Sequence, residues 1–231
     1  MTTSGTDPVE ELSLTAALRS TGAVRGFTDQ PVDTATIMAI LDDARFAPSG
    51  GNRQPWRVAV VADRSLRSAL GRAMRPVWDE YAAISATGRT PFSAVAPSAS
   101  VLTTVPSGAA PNDLLERIEH VPVVLAIAAD LSRIAMMDKD LDRPALTGGA
   151  SVYPFCWSIL LSARAHGLGG VLTTFASRVE PETGELLGLP ADHALAAVIF
   201  LGHPVFRATR LRRNPVETFS TLNRFDGSAI S

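Results

Sequence analysis

The spacing of apolar residues predicts four helices in this chain. A spacing of three to four residues covers 9–20 and recurs after Pro31, where Asp33 can cap the amino end of a helix. Residues 65–85 follow the same pattern, while 147–166 form a long segment that is apolar on nearly all sides. A helix of this last kind is central to a hydrophobic core or to a subunit interface.

Short runs of β-branched and other apolar residues predict three strands, at 56–62, 121–129 and 194–202. Each run is apolar at consecutive positions, which is typical of a strand that is buried on both faces. Helices and strands are mixed along the chain, without an internal repeat or a linker composition between them. The pattern therefore predicts one α+β domain over residues 1–231.

Two segments do not follow this pattern. Residues 88–111 are rich in Ser, Ala, Pro and Thr and show little periodicity, so we interpret them as a mobile loop or lid. Residues 205–231, here called the carboxy-terminal arm, have few apolar residues at helical spacing but include Arg212 and Arg213. This arm is either frayed, or it wraps a partner subunit and brings its positive charge to an anion.

Composition narrows the classes of partner. The sequence has 21 Lys and Arg against 23 Asp and Glu, a formal net charge of -2, so no overall field would attract nucleic acid or an anionic membrane. The amino terminus does not read as a secretory signal, and no apolar stretch reaches the ~20 residues that span a bilayer. We therefore expect a cytoplasmic protein with neither nucleic-acid nor membrane partners.

The usual reactive side chains predict no metal site and no nucleophile. The single cysteine, Cys156, lies in an apolar run, so we expect an inert core thiol rather than a disulfide or a metal ligand. The four histidines are scattered without metal-ligand spacing, and no hydrolase triad is evident. Met74, Trp78 and Tyr81 fall at near-helical spacing, which favours core packing and leaves a substrate-pocket role open.

The most informative segment is APSGGNRQPW at residues 47–56, between the Asp33-capped helix and the first predicted strand. Prolines stiffen both of its ends, and two adjacent glycines allow the backbone to approach a ligand closely. Its Ser, Asn, Arg and Gln side chains supply directional hydrogen bonds. The segment is either a ligand-binding loop or a polar connection that uses Gly and Asn for positive φ.

Four segments, in this order, resemble the nitroreductase family. The stretch RSTGAVRGF at 19–27 leads through T-D-Q-P-V into a helix, and APSGGNRQPW then matches the family pattern A-P-S-x-x-N-x-Q-P-W. The third segment is A-R-A-H-G-L-G at 163–169, followed by L-L-G-L-P at 186–190. The fourth is G-H-P at 202–204 with R-R-N-P-V-E at 212–217. Together they extend over most of the chain.

The resemblance implies an α+β fold with a central mixed sheet flanked by helices, and an intertwined homodimer that binds two FMN molecules at the subunit interface. It implies that NADH or NADPH reduces the flavin, which then reduces a small electron-poor acceptor of nitroaromatic, quinone or enone type in a ping-pong cycle. No protein acid or base is required, so no catalytic residue is assigned. The alternatives are a flavin-sequestering protein without turnover, or a same-fold flavin enzyme of different chemistry, such as flavin destruction or dehalogenation.

The family pattern also implies the FMN contacts, residue by residue. Arg25 aligns with the cation near flavin N1 and O2, where negative charge develops on reduction. Arg213, and after it Arg212, are the candidate phosphate ligands, because arginine forks suit phosphate oxygens. The other implied contacts are the loop residues Pro48, Ser49, Gly50 and Asn52, of which Pro48 and Ser49 reach the cofactor of the other subunit, and Thr173 and Thr174 near flavin N5.

One segment departs from the family pattern. Thr21, Gly22 and Ala23 stand where the family usually has R-R-S, so an arginine and a serine that usually bind phosphate are missing. Either Arg19 compensates from the preceding turn, or the arginines of the carboxy-terminal arm carry more of the phosphate charge.

Overall fold

Four strands form the central sheet of this computed structural model, which describes residues 12–95, 111–208 and 210–230. They are β1 (Trp56–Val60), β2 (Val123–Asp130), β3 (Gly169–Thr173) and β4 (His193–Gly202). Neighbouring strands pair in the order β1-β2-β4-β3, and each of these pairings is antiparallel. The predicted α+β class is confirmed.

The parallel component of the sheet lies at the β3 edge. Among the described residues it consists of an isolated bridge between Ala23 and Gly170. The amide of Val24 donates to the carbonyl of Gly170 at 2.9 Å, so the segment after the first helix runs beside β3. The mixed character expected from the family pattern is therefore confined to this short pairing, which holds residues 23–25 against β3.

Helices cover both faces of the sheet. They are α1 (Leu14–Ser20), α2 (Thr34–Ala44), α3 (Arg64–Ala86), α4 (Asp113–Glu116), α5 (Tyr153–Ala165), α6 (Phe175–Arg178) and α7 (Glu180–Leu187). On one face, Ile40 of α2 and Ile159 of α5 join a core with Ile127 of β2. On the other face, Met74 of α3 packs in a core with Phe200 of β4. Burial of this apolar surface is the main stabilising contribution.

The first predicted strand is placed correctly, but the expectation that it is buried on both faces is wrong. β1 is an edge strand, and Arg57, Ala59 and Val60 along it are exposed. One face of β1 contacts the core, which accounts for apolar residues such as Trp56 and Val58. Among the described residues, no strand lies beside its outer edge. The interior strand β2, by contrast, is buried at every position.

Two helix predictions also need correction. The predicted helix 147–166 begins as a 3₁₀ segment, Thr147–Ser151, and becomes α-helical only at Tyr153, where Pro154 occupies the first turn. The first helix starts at Leu14, after Ser13 accepts a hydrogen bond from the amide of Ala16. The helices predicted after Asp33 and over 65–85 are confirmed as α2 and α3.

Several short elements were not predicted. β3 contains Gly169 and Gly170 and is only five residues long, so it lacks a strand-like run of β-branched residues. α4, α6 and α7 are also short. Residues 96–110, most of the predicted mobile loop 88–111, lie outside the described residues, so that interpretation and the single-domain prediction for 1–231 stay predictions. Within the described part of the chain, no helix has the length and apolar composition needed to cross a membrane.

Candidate functional site

A cavity of about 260 Å³ lies between α3, α4 and the carboxyl end of β3. Aromatic rings form one wall: Trp78 and Tyr81 stack with centroids 5.9 Å apart, and Phe175 meets Tyr81 edge-on at 5.7 Å. The floor and the other walls are Leu114, Leu115, Val171, Leu172 and Phe200, with polar groups from Arg25, Asn112, Thr173 and Thr174. Mostly apolar walls with a few polar groups are typical of a small-molecule site.

Three of the predicted cofactor residues, Arg25, Thr173 and Thr174, line this one cavity. Their proximity follows from the Ala23–Gly170 bridge, which lays the Arg25 segment along the strand that ends at Thr173. Arg25 is exposed and makes no hydrogen bond or ion pair with any described residue. A free guanidinium at the rim of an apolar cavity can therefore attract an electron-rich or anionic part of a ligand.

The carboxy-terminal arm begins on the same side of the sheet. The amide of Thr28 donates to the carbonyl of His203 at 2.9 Å, and the amide of Val205 donates to the carbonyl of Gly26 at 3.1 Å. Further along, the Leu211 side chain packs against Gly22. The arm thus runs antiparallel to residues 22–28. Arg212 and Arg213 come directly after Leu211 in the sequence and therefore lie near residues 21–23, which depart from the family pattern.

At the position of that departure, the arm packs against Gly22. A Cβ built on Gly22 would lie 2.7 Å from a Leu211 methyl carbon, so a side chain here requires Leu211 to move. The Arg212 side chain has no described partner, and the Arg213 side chain donates only to the backbone carbonyl of Arg212, at 2.7 Å. Both exposed guanidinium groups remain available for an anion.

Hydrogen bonds within the loop and to Ser151 shape the loop before β1. The Ser49 hydroxyl accepts from the amide of Gln54 at 3.0 Å, and the amide of Gly50 donates to the Ser151 hydroxyl at 3.0 Å. Gly51 and Asn52 take left-handed φ values of 60° and 52°. A glycine suits the first of these positions because a Cβ is disfavoured there, and Asn tolerates the second better than most residues.

The structure does not bring this loop to the cavity within one chain. The loop enters β1 at one edge of the sheet, whereas Thr173 ends β3 at the other edge. Three strand spacings separate the two edges, about 14 Å. Pro48, Ser49, Gly50 and Asn52 therefore stand apart from Arg25 and Thr173, which is the arrangement expected if the loop serves the site of a second subunit.

Met74, Trp78 and Tyr81 of α3 divide between the two roles left open by the sequence. Met74 is fully buried in the core, whereas Trp78 and Tyr81 line the cavity. Sequence reasoning missed Phe175 and Asn112, which also line it. The position of Phe175 directly after the two threonines was an available signal. Asn112 gave none, because it caps the short, unpredicted helix α4.

Burial and local contacts explain the remaining reactive side chains, which are Cys156 and a cluster of two aspartates and a histidine. Cys156 is fully buried, and burial raises the pKa of its thiol to about 12, which makes it unreactive. Asp130, Asp192 and His193 lie close enough to share a metal ion, although their spacing in the sequence did not indicate it. Asp130 already accepts two hydrogen bonds from Ser132, and Asp192 contacts His193 at 2.7 Å, so these local contacts suffice to explain the group.

The model of the nitroreductase family matches residues 18–203, from α1 to the end of β4. The chain belongs to the nitroreductase family. The match includes the loop before β1, the Arg25 segment and both threonines, while the carboxy-terminal arm lies beyond it. This nitroreductase-family chain therefore carries its candidate phosphate arginines outside the matched region.

Relatives and solved structures agree with this assignment. A Thermus thermophilus protein named NADH dehydrogenase is 30% identical over 232 residues, covering 88% of this chain and 92% of that protein. Nitrobenzene nitroreductase of Ectopseudomonas oleovorans is 28% identical over 193 residues, covering 80% and 84%. The structure of oxidized iodotyrosine deiodinase bound to FMN and 3-iodo-L-tyrosine superposes with a TM-score of 0.66 at 21% identity, covering 92% of this chain and 100% of that one. The last similarity shows the shared fold.

Proposed function

We propose that this nitroreductase-family chain is an FMN-dependent NAD(P)H oxidoreductase that acts on small electron-poor acceptors as a homodimer. The observation that carries the proposal is the grouping of Arg25, Thr173 and Thr174 around an aromatic-walled cavity. The relative named NADH dehydrogenase supports the choice of donor, and the relative named nitrobenzene nitroreductase supports a nitroaromatic acceptor. The neighbouring structure that contains FMN supports the cofactor.

The residues present fit a phosphorylated flavin. Flat aromatic rings suit the walls formed by Trp78 and Phe175, and a phosphate suits arginines that have no carboxylate partner among the described residues. Arg213 and Arg212 stand at the Gly22 turn through the contact of Leu211. From Gly22 to Arg25 the chain spans at most about 10 Å, so one elongated ligand could reach both charged groups.

Each residue has a defined task in this proposal. FMN, when bound, supplies the hydride chemistry. Arg213 and Arg212 hold its phosphate, and Arg25 places a positive charge where the reduced ring becomes negative. Thr173 and Thr174 orient the ring edge from the end of β3, while Trp78 and Tyr81 exclude water and stack an acceptor. The loop residues Pro48, Ser49, Gly50 and Asn52 close the cavity from the second subunit.

The dimer is supported by apolar surface that a single chain leaves exposed. Tyr153 and Trp157 on α5 are 45% and 40% exposed, although Phe155 and Ile159 of the same helix lie in the core. In the carboxy-terminal arm, Phe219 and Phe225 are exposed as well. Soluble monomers rarely leave so many large apolar side chains in water, so a second copy is the expected cover.

The test begins with the absorbance spectrum of the purified protein, which we expect to show bound flavin. NADH or NADPH should bleach it, and a nitroaromatic or a quinone should restore the colour. Arg25→Ala should slow the bleaching about tenfold or more, because it removes the cation facing the developing charge, whereas the exposed α3 variant Arg72→Ala should behave as wild type. A bound flavin that neither nucleotide reduces would indicate storage, and iodide release from 3-iodotyrosine would indicate dehalogenation.

A further inference from the structure

Arg207, in the carboxy-terminal arm, makes contacts that the FMN proposal does not use. One terminal nitrogen, Nη2, donates to the carbonyls of Gly167 and Leu168 at 3.0 and 2.9 Å. These carbonyls belong to the turn between α5 and β3. The Nε of Arg207 is buried without a hydrogen-bond partner, the one such side-chain nitrogen or oxygen among the described residues. Its guanidinium is thus held in place chiefly through Nη2.

Among the described residues, the hydrogen bonds of Arg207 are the last that tie the arm to the body of the protein. Before it, the amide of Val205 pairs with Gly26. From Phe206 to Ile230, the other hydrogen bonds of the described residues stay within the arm, such as that from Arg213 to Arg212. The course of the chain toward residues 212 and 213 therefore depends on Arg207 and on the packing of Leu211 against Gly22.

The local electrostatics do not favour a direct anion site at Arg207. The two carbonyls it contacts lie just beyond the carboxyl end of α5, where a cation is stabilised. The pKa of Arg207 is lowered by burial and by the nearby charge of Arg164. The adjoining space, lined by Ser20 and Arg164, has a volume of about 10 Å³, enough for no more than a single water. A phosphate group does not fit there.

We infer that Arg207 is a positioning residue, whose bonds to the α5–β3 turn fix the arm so that Arg212 and Arg213 stand beside the Gly22 turn to receive the cofactor phosphate. This inference rests on the proposed FMN function. Arg207 lies outside the family match. By holding the arm, it allows Arg212 and Arg213 to take the place of the phosphate-binding side chains missing at residues 21–23. Arg207 itself does not touch the phosphate.

The distinguishing measurement is the preference of the apoprotein for FMN over riboflavin, which differ by the phosphate. Fluorescence titration gives both dissociation constants. Arg213→Ala should reduce the FMN preference about tenfold by removing a charged hydrogen bond. Arg207→Met should reduce it similarly and leave riboflavin binding within about twofold, because Met keeps the apolar stem and loses the donors. Arg207→Lys, whose ammonium can still donate to these carbonyls, should restore most of the preference.

A second perturbation covers the case in which Arg207→Met does not fold. Leu211→Ala loosens the same part of the arm without changing a charge, and it should also reduce the FMN preference. Arg224→Ala, an exposed arm variant whose side chain has Asp226 as its only described partner, is the matched control and should leave the preference unchanged. Equal weakening of FMN and riboflavin, or an unchanged preference in a folded Arg207→Met, would overturn the inference. If Arg207→Met does not fold, an unchanged preference in Leu211→Ala would overturn it. Wild type that binds neither flavin would overturn the proposed function and this inference together.

Discussion

At the scale of single residues, Asp138 shows how a buried carboxylate is retained. It is 4% exposed and accepts hydrogen bonds from the amides of Leu146 and Thr147, from the Thr147 hydroxyl at 2.6 Å, and from Arg143 at 2.6 Å. These bonds hold the pKa of Asp138 well below its usual range, with the Thr147 hydroxyl as the largest cause. Asp138 thereby fixes the start of the segment that leads to Ser151 and the Gly50 loop.

The lowered pKa of Asp138 gives a pH-dependent prediction. Its carboxylate bonds stabilise the fold fully above the pKa of an unfolded aspartate, about 3.9, and this contribution declines as the pH falls from there toward the folded-state pKa. Asp138→Asn should therefore lower the unfolding temperature at pH 7 by several degrees, and the gap from wild type should narrow below about pH 4. Thermal unfolding between pH 3 and 8 checks this, with exposed Asp140→Asn as control. A gap that stays constant down to pH 3 would contradict it.

The residues that the sequence could identify are those whose chemistry is local. Arg25 and the two threonines were found from motif position, and they do line one cavity. The role of Arg207 could not be found in this way, because its partners, Gly167 and Leu168, lie about 40 residues earlier and are backbone carbonyls. Backbone acceptors have no sequence signature, so a side chain that acts through them becomes evident only in the folded chain.

At the scale of elements, α3 is tied to the sheet by Arg67. This buried side chain donates from Nε to the carbonyl of Val61 at 2.6 Å and from Nη1 to the carbonyl of Val121 at 2.7 Å. Burial lowers the pKa of Arg67. The two carbonyls flank the end of β1 and the start of β2, so one residue joins three elements at the amino-terminal end of the helix whose later turns form the cavity wall.

Replacing Arg67 tests the strength of this connection. Arg67→Met should destabilise the protein by about 3 kcal/mol, because two buried carbonyls lose a charged donor and gain none. The matched variant Arg72→Met, on the exposed side of the same helix, should change stability by less than about 0.5 kcal/mol. Urea unfolding of the three proteins measures both differences. Equal stability of Arg67→Met and wild type would mean that water replaces the guanidinium at little cost.

Element prediction succeeded where the periodicity was long and failed where neighbours decide the structure. α2 and α3 have caps and repeated apolar positions, both local signals. β1 has the apolar run of an interior strand, yet it lies at the edge, because strand order depends on pairing partners far away in sequence. β3 has two glycines, and it forms a strand because β4 and the Ala23 segment lie on either side of it.

At the scale of the whole molecule, the candidate site is divided between two edges of one sheet. Arg25, Thr173 and the arginines of the arm gather at the β3 edge, whereas Asn52 and its loop lie at the β1 edge. A homodimer in which each loop closes the partner's cavity would complete two equivalent sites. In every site, the two groups of residues would then come from different subunits.

Mixed dimers test this division of the site. Arg25→Glu and Asn52→Asp should each abolish most flavin-dependent NAD(P)H oxidation, since each puts a negative charge beside the reduced ring. Coexpressed in equal amounts, the two variants should recover about a quarter of wild-type activity, because half of the dimers are mixed and each mixed dimer has one unaltered site. Coexpressed Arg25→Glu and Arg213→Glu should recover nothing, because both residues lie at the β3 edge and every site keeps one alteration. Absence of recovery in the first pair would place the loop and Arg25 in the same subunit's site. Recovery in the second pair would place Arg25 and Arg213 of one chain in different sites.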